Sequence, residues 1–398
     1  NCIRKVSPMA KSFEVNVNPE ILRWARERAG FSEEETAKKL KTNTENYRKI
    51  ETGEKKPTFT QIERLAHFFK RPIAVFFLPE PPDEPSFSTS FRIMPEGKQN
   101  LSKELRLAIR KTRYYQSIAN ELMEDLGINT KANVSSATIN DDPLLLAREE
   151  RRKLGISIEE QFKFKNAYSA LSKWRDAVEA QNILVFQFKF PIESARGFSL
   201  MDKEPPVIVL NSSDNILARI FTLFHEYAHI LLRLPEIYTG EETIGHDKKI
   251  ENWCNKFASE FLAPESIIKN EDAYRELIDK TKNLEEVLEI LSNRFKVSKH
   301  AILTKLKVIN VISNEEYEEI SSKLKSQFIE EEKRGFSLPP HKRCIQEKGK
   351  KFVSIVLNAK EKEIITSADM IEYLSLKSDN LKKLIENKSQ VNNEYLHY

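Results

Sequence analysis

Residues 216–234 read ILARIFTLFHEYAHILLRL, and this stretch decides what kind of chain this is. Apolar residues crowd nearly every position, which predicts a helix buried on most of its sides, ending before Pro235. His225 and His229 are four residues apart and therefore share one helix face, so both imidazoles can reach a single cation. Glu226 stands beside the first histidine. From there it can take a proton from a water held at that cation without being a ligand. Two histidines and a glutamate on the buried side of an apolar helix need partners, and a metal ion supplies them.

A catalytic zinc usually takes three protein ligands and keeps one open position. Downstream candidates for the third ligand are Glu236, Glu241, Glu242, His246, Asp247, Glu251, Cys254 and Glu260. Residues 247–264, DKKIENWCNKFASEFLAP, form the one segment there with a helical pattern and a clear stop at Pro264. On that helix Glu251, Cys254, Asn255, Ala258 and Leu262 share a face at three- and four-residue steps. Glu260 lies half a turn around from Glu251, toward a basic partner or solvent. Glu251 is the favoured ligand and Cys254 the runner-up, since thiolates also suit zinc.

Around these helices the periodicity changes. Ile183–Phe190 (ILVFQFKF) and Pro206–Asn211 (PVIVLN) alternate and branch like strands, with Gly197–Asp202 (GFSLMD) as a weaker third. GFSLMD or PVIVLN could offer a sheet edge to a peptide strand. Tyr238 and His246 are candidates to stabilise an oxyanion. Lys351–Ala359 (KFVSIVLNA) reads as a further strand. The basic run Lys348–Lys351 reads as solvated surface, and the pairs Phe68–Phe69 and Phe76–Phe77 as packing residues.

The order Asn211, RIFTLFHEYAHILL, IENWCNKFASEFLAP resembles the ImmA/IrrE family of metallopeptidases. There HExxH is followed by E-x-x-x-N-x-F-A-x-E-x-L-x-x-P, matched in register by Glu251, Asn255, Phe257, Ala258, Glu260, Leu262 and Pro264. The resemblance covers about residues 160–310. It implies His225, His229 and Glu251 as ligands of Zn2+, Glu226 as catalytic base, and a regulatory protease that cuts a specific repressor. Tyr227 departs from it, standing where many members have Leu.

Residues 31–58, FSEEETAKKLKTNTENYRKIETGEKKPT, show a Ser32–Glu35 capping box, an apolar face through Ala37 and Leu40, and a second short helix capped at Thr42 or Asn43. They resemble the helix-turn-helix of the lambda-repressor-like (XRE) family, with Ala37, Leu40, Ile50, Glu51, Gly53 and Pro57 in register. That geometry places the second helix in the major groove, with Thr44, Asn46, Arg48 and Lys49 near bases or phosphates. Asn46 suits adenine, and Arg48 suits guanine or phosphate. Residues 1–80 hold 16 Lys and Arg against 11 Asp and Glu, a net charge of five. Glu33 stands where the family often has a phosphate-contacting Gln, Glu45 puts an acid on the recognition helix, and Lys41 replaces the turn glycine.

The expected fold is mainly α with a small β-sheet (α+β). It comprises a five-helix helix-turn-helix domain (15–79), a linker and helical region (80–160), a zincin-like HExxH peptidase domain (161–310) and a helical or mixed C-terminal region (311–398). The 398 residues are 40% hydrophobic and 31% charged, enough for packed cores. No apolar run reaches the ~18 residues a membrane helix requires. Three scattered cysteines argue against a disulfide scaffold and for a cytoplasmic setting. Neither a glycine-rich phosphate loop nor a G-x-S-x-G motif occurs, so nucleotide hydrolysis and serine-hydrolase chemistry have no support. The expected partners are DNA and a protein substrate, an XRE-type repressor or a toxin-like partner; a homodimer fits the helix-turn-helix class. The alternative is a DNA-binding regulator or antitoxin whose peptidase-like domain binds a partner without turnover.

Overall fold

The computed structural model describes residues 13–82, 90–91, 102–233, 243–328 and 338–386. It divides into two compact units, residues 1–87 with 98–113 and residues 88–97 with 114–398.

The first unit is built from α1 (Pro19–Ala29), α2 (Glu33–Leu40), α3 (Thr44–Glu51), α4 (Phe59–Phe69), a 3-10 turn (Ile73–Phe77) and the start of α5 (Lys103–Asp125). Each of the first four starts on a side-chain cap, at Asn18, Ser32, Asn43 and Thr58. The capping boxes at Ser32–Glu35 and Thr58–Gln61 are complete. Ile21, Leu22, Ala37, Leu40, Tyr47, Ile50, Leu65, Phe69 and Phe76 form the core. Glu51 is buried in it and held by Arg26 and by the Tyr47 hydroxyl, which pins α3 to α1. Lys41 takes the left-handed turn with φ 57°, a conformation that costs a non-glycine residue about 1 kcal/mol. Phe77 is exposed, against expectation, because the tight turn sends it outward while Phe76 points into the core.

The second unit holds β1 (Ser90–Phe91), the end of α5, α6 (Pro143–Lys153), α7 (Ile158–Phe162) and α8 (Ala167–Glu179). Then come β2 (Leu184–Phe188), β3 (Gly197–Leu200), β4 (Val207–Asn211), α9 (Ile216–Leu232) and α10 (Thr243–Leu262). The helices α11 (Glu265–Ile268), α12 (Asp272–Ile278), α13 (Leu284–Phe295), α14 (Lys299–Val308) and α15 (Asn314–Phe328) follow. The unit closes with α16 (Pro340–Glu361), α17 (Ser367–Leu374) and α18 (Ser378–Glu386). The sheet order is β1-β3-β4-β2, with β2 parallel to β4 and the other pairs antiparallel. Helix α9 packs on β3 and β4 and is flanked by α8 and α10, which buries every residue from Ala218 to Leu232. Helices α13 and α14 are packing elements: Leu288, Leu291, Ile302 and Leu303 lie in the same core as Trp174, Phe224 and Phe261.

Three expectations change. The PVIVLN strand is not a sheet edge, since β4 lies between β3 and β2, while the GFSLMD strand pairs on its other side with the two residues of β1, at Phe198 and Ser199. Residues 351–359 form no strand. They lie in α16, where the apolar run is buried against β2 and α8 rather than paired in the sheet. Lys348 and Lys351 are buried, not solvated. Lys348 donates to the Tyr115 and Ser375 hydroxyls, Lys350 to Asp176, and Lys351 to Asn182. Gly349 breaks α16 at φ 79°, ψ 157°, at a point where a Cβ would run into the Glu179 carboxylate.

Candidate metal centre

Helix α9 begins on the Asn215 side chain, which accepts the Leu217 amide, and stops at Arg233 in the left-handed conformation. The helical spacing places His225 and His229 one turn apart, with side chains 0% and 2% exposed. Their Nε2 atoms lie 3.2 Å apart. From α10, the Glu251 carboxylate reaches both, with Oε2 3.2 Å from His225 Nε2 and Oε1 3.1 Å from His229 Nε2. Three donors bound at about 2.0 Å to one tetrahedral ion are about 3.3 Å apart. The observed triangle has that size, and its two imidazoles and one carboxylate are a zinc-type donor set, so these residues fit a metal ion. Among the described residues, these three are the His, Cys, Asp and Glu side chains that converge closely enough to hold one. The side chain of Glu251 is 37% exposed, so the centre opens on its side.

Neighbouring groups orient the donors. Asn255, one turn beyond Glu251 on α10, places Oδ1 3.1 Å from His225 Nδ1 and so turns Nε2 inward. Burial disfavours charge on His229, but Cys254, Glu251 and Glu226 around it raise its proton affinity well above the ordinary imidazole value. Burial also works to raise the Glu251 carboxyl. Hydrogen bonds from His225 and His229 outweigh it and hold that group well below the usual carboxylate range. Glu226 is fully buried, and the Ser199 hydroxyl of β3 donates to its Oε2 at 3.0 Å.

The remaining candidates separate. Cys254 is a buried free thiol outside the converging set. Glu260 meets the basic partners expected of it, Arg148 at 2.8 Å and Lys305. Tyr227 donates to the fully buried Glu150 at 2.6 Å, which accounts for a hydroxyl where Leu is usual. Glu236, Tyr238, Glu241 and Glu242 lie outside the described residues; His246 and Asp247 lie on α10, with side chains outside them.

Residues 178–307 match the family model of the IrrE N-terminal-like domain, a peptidase family, and residues 22–76 match a helix-turn-helix model. The chain joins a helix-turn-helix domain to an IrrE-type peptidase domain. No curated protein and no solved structure matches it. The match over residues 178–307 points to a metallopeptidase-type hydrolase domain, and that family implies a metal cofactor and a protein substrate. The helix-turn-helix match over residues 22–76 points to a DNA-binding type of domain. None of the described helices is long and apolar enough to cross a membrane.

In the first unit the four DNA-facing candidates lie on α3. Arg48 donates to Glu33 through Nε at 3.0 Å and Nη2 at 2.7 Å, and Lys49 pairs with Glu45 at 2.9 Å. Each of the two acids that departs from the family pattern is therefore matched by a cation on the same face. Thr44 and Asn46 are partly exposed. Sequence reading missed Ser199, Gly197 and Glu150. The signal available for the first two was their spacing, since positions two apart on a strand face the same side.

Proposed function

We propose that the chain is a zinc-dependent endopeptidase that regulates transcription by cleaving an XRE-type repressor. In this reading His225, His229 and Glu251 hold the ion and Glu226 is the catalytic base. The helix-turn-helix unit brings the enzyme to DNA through Thr44, Asn46, Arg48 and Lys49. The observation that carries the reading is the 3.1–3.2 Å triangle of donors beside a buried, hydrogen-bonded glutamate.

A bound zinc ion supplies a Lewis acid that polarises a peptide carbonyl and acidifies water. The protein's own groups do the rest. Asn255 fixes the orientation of His225. The apolar surroundings of α9 keep bulk water away from Glu226. Glu226 takes the proton of the attacking water and returns it to the departing amine.

The test pairs the purified protein with XRE-type repressors encoded beside its gene. Wild type should carry one zinc and cut one of them at a defined bond. Glu226→Gln should keep the zinc and lose about 10²–10⁴ of the rate. A Glu226→Gln protein that still cleaves overturns the mechanism. Regulation that persists unchanged in that variant favours the binding-only alternative.

A further inference from the structure

We infer that Ser199 is a positioning residue for the cleavage reaction: it fixes the carboxylate of Glu226. The inference rests on the reading of Glu226 as the base and adds a residue to it. Ser199 and Gly197 are two apart on β3 and face α9 together. At Gly197 a Cβ would lie 2.5 Å from Thr222 Cγ2 and 3.6 Å from Glu226 Cγ. The missing side chain is what lets helix and strand approach closely enough for the next residue on that face to bridge them. Ser199 bridges with its hydroxyl, 1% exposed, donating to Glu226 Oε2 at 3.0 Å.

The serine is well placed to hold a direction. Its backbone lies in a ladder on both sides, in register with Ile208 of β4 and Ser90 of β1. A donor on an anchored strand fixes its acceptor better than one on a loop. A glutamate has three side-chain torsions, and this contact ties down its far end.

The probe is acetohydroxamate, a small metal chelator whose hydroxyl meets the base, titrated calorimetrically into zinc-loaded protein. The proteins are wild type, Ser199→Ala, Glu226→Gln and the double variant; zinc content and melting temperature are measured for each. Ser199→Ala should keep its zinc and bind about tenfold or more weakly, as expected for losing a hydrogen bond to a charged group. The double variant should bind no more weakly than Glu226→Gln alone, because the serine acts only through that carboxylate. A merely structural serine would give additive losses, or would lose zinc or fold; either outcome overturns the inference, as does wild-type affinity in Ser199→Ala. If Glu226→Gln itself binds like wild type, the reading of Glu226 fails and takes this inference with it. A normal Glu226→Gln deficit beside a silent Ser199→Ala overturns this inference alone.

Discussion

Gly197→Ala tests whether the contact between α9 and β3 sets the geometry of the centre. The new Cβ would stand 2.5 Å from Thr222 Cγ2 and 2.8 Å from the Val209 carbonyl oxygen. Carbon atoms in contact prefer about 3.5–4.0 Å, so the strand must retreat from the helix by roughly 1 Å. Overpacking of this kind costs about 1–3 kcal/mol. At roughly 2–4 °C per kcal/mol for a unit of this size class, the melting temperature should fall by about 2–12 °C. The same displacement should reduce cleavage more than it reduces stability, since a misplacement of about 1 Å can cost ~10² in rate. Thr222→Ser removes the methyl group and keeps the hydroxyl. Added to Gly197→Ala, it should restore part of both losses, with the clash at Val209 remaining. The assay is calorimetric melting of zinc-loaded protein alongside cleavage of the repressor identified with wild type. A Gly197→Ala protein that melts and cleaves like wild type would refute the reasoning. So would a double variant worse than the sum of its parts.

Other outcomes follow from the same structure. His225→Ala and Glu251→Ala should each lose stoichiometric zinc, measured by mass spectrometry, whereas Cys254→Ala should retain it because Cys254 lies outside the converging set. Glu33→Gln releases Arg48 from its pair; DNA affinity should rise several-fold, with a log–log salt slope steeper by about one, and unchanged titrations would count against a DNA-facing α3. Glu179 is pushed up to about 7 by burial, which Arg175 beside it only partly offsets. Its folded value lies above the unfolded one, so its contribution is complete below about pH 4.5 and is lost as pH rises to about 7. Relative to Glu179→Gln, the wild type should lose on the order of 2–3 kcal/mol between pH 5 and pH 8 in denaturant titrations, and parallel curves would exclude this source.

Most of the candidate site was legible in the sequence because its chemistry is local. His225, Glu226 and His229 share one helix, and their spacing needs no knowledge of the fold. Glu251 was harder, since choosing it over Cys254 requires the roll of α10 against α9. Ser199 was illegible for a different reason: nothing local says which helix a buried strand residue faces. The KFVSIVLNA stretch failed for a related cause. An apolar, β-branched run suits a central strand or a fully buried helix equally, and packing against β2 and α8 decided for helix. The buried Lys348 and Lys351 beside Gly349 had no sequence signal at all, since their partners Tyr115 and Asn182 lie more than 160 residues away.

The triangle of His225, His229 and Glu251 depends on α10 holding one position along and around its axis. A slip of one residue moves a side chain about 1.5 Å along the axis and 100° around it, enough to carry Glu251 off both histidines. The back of the same helix prevents that slip. Glu260 stands nine residues from Glu251 and so half a turn around. It is fully buried, tied to Arg148 of α6 and to Lys305 of α14. Lys305 is itself buried, so moving Glu260 away would strand a charge in the core, at a cost of about 3–5 kcal/mol. Helix α9 is tied to the same α6, because Tyr227 donates to Glu150. Both helices that carry the candidate donors are therefore anchored to α6, through Glu260–Arg148 and Tyr227–Glu150. Directional contacts specify a register where apolar packing alone would tolerate neighbouring ones. This gives Glu260 a physical role in placing Glu251 without membership of the donor set.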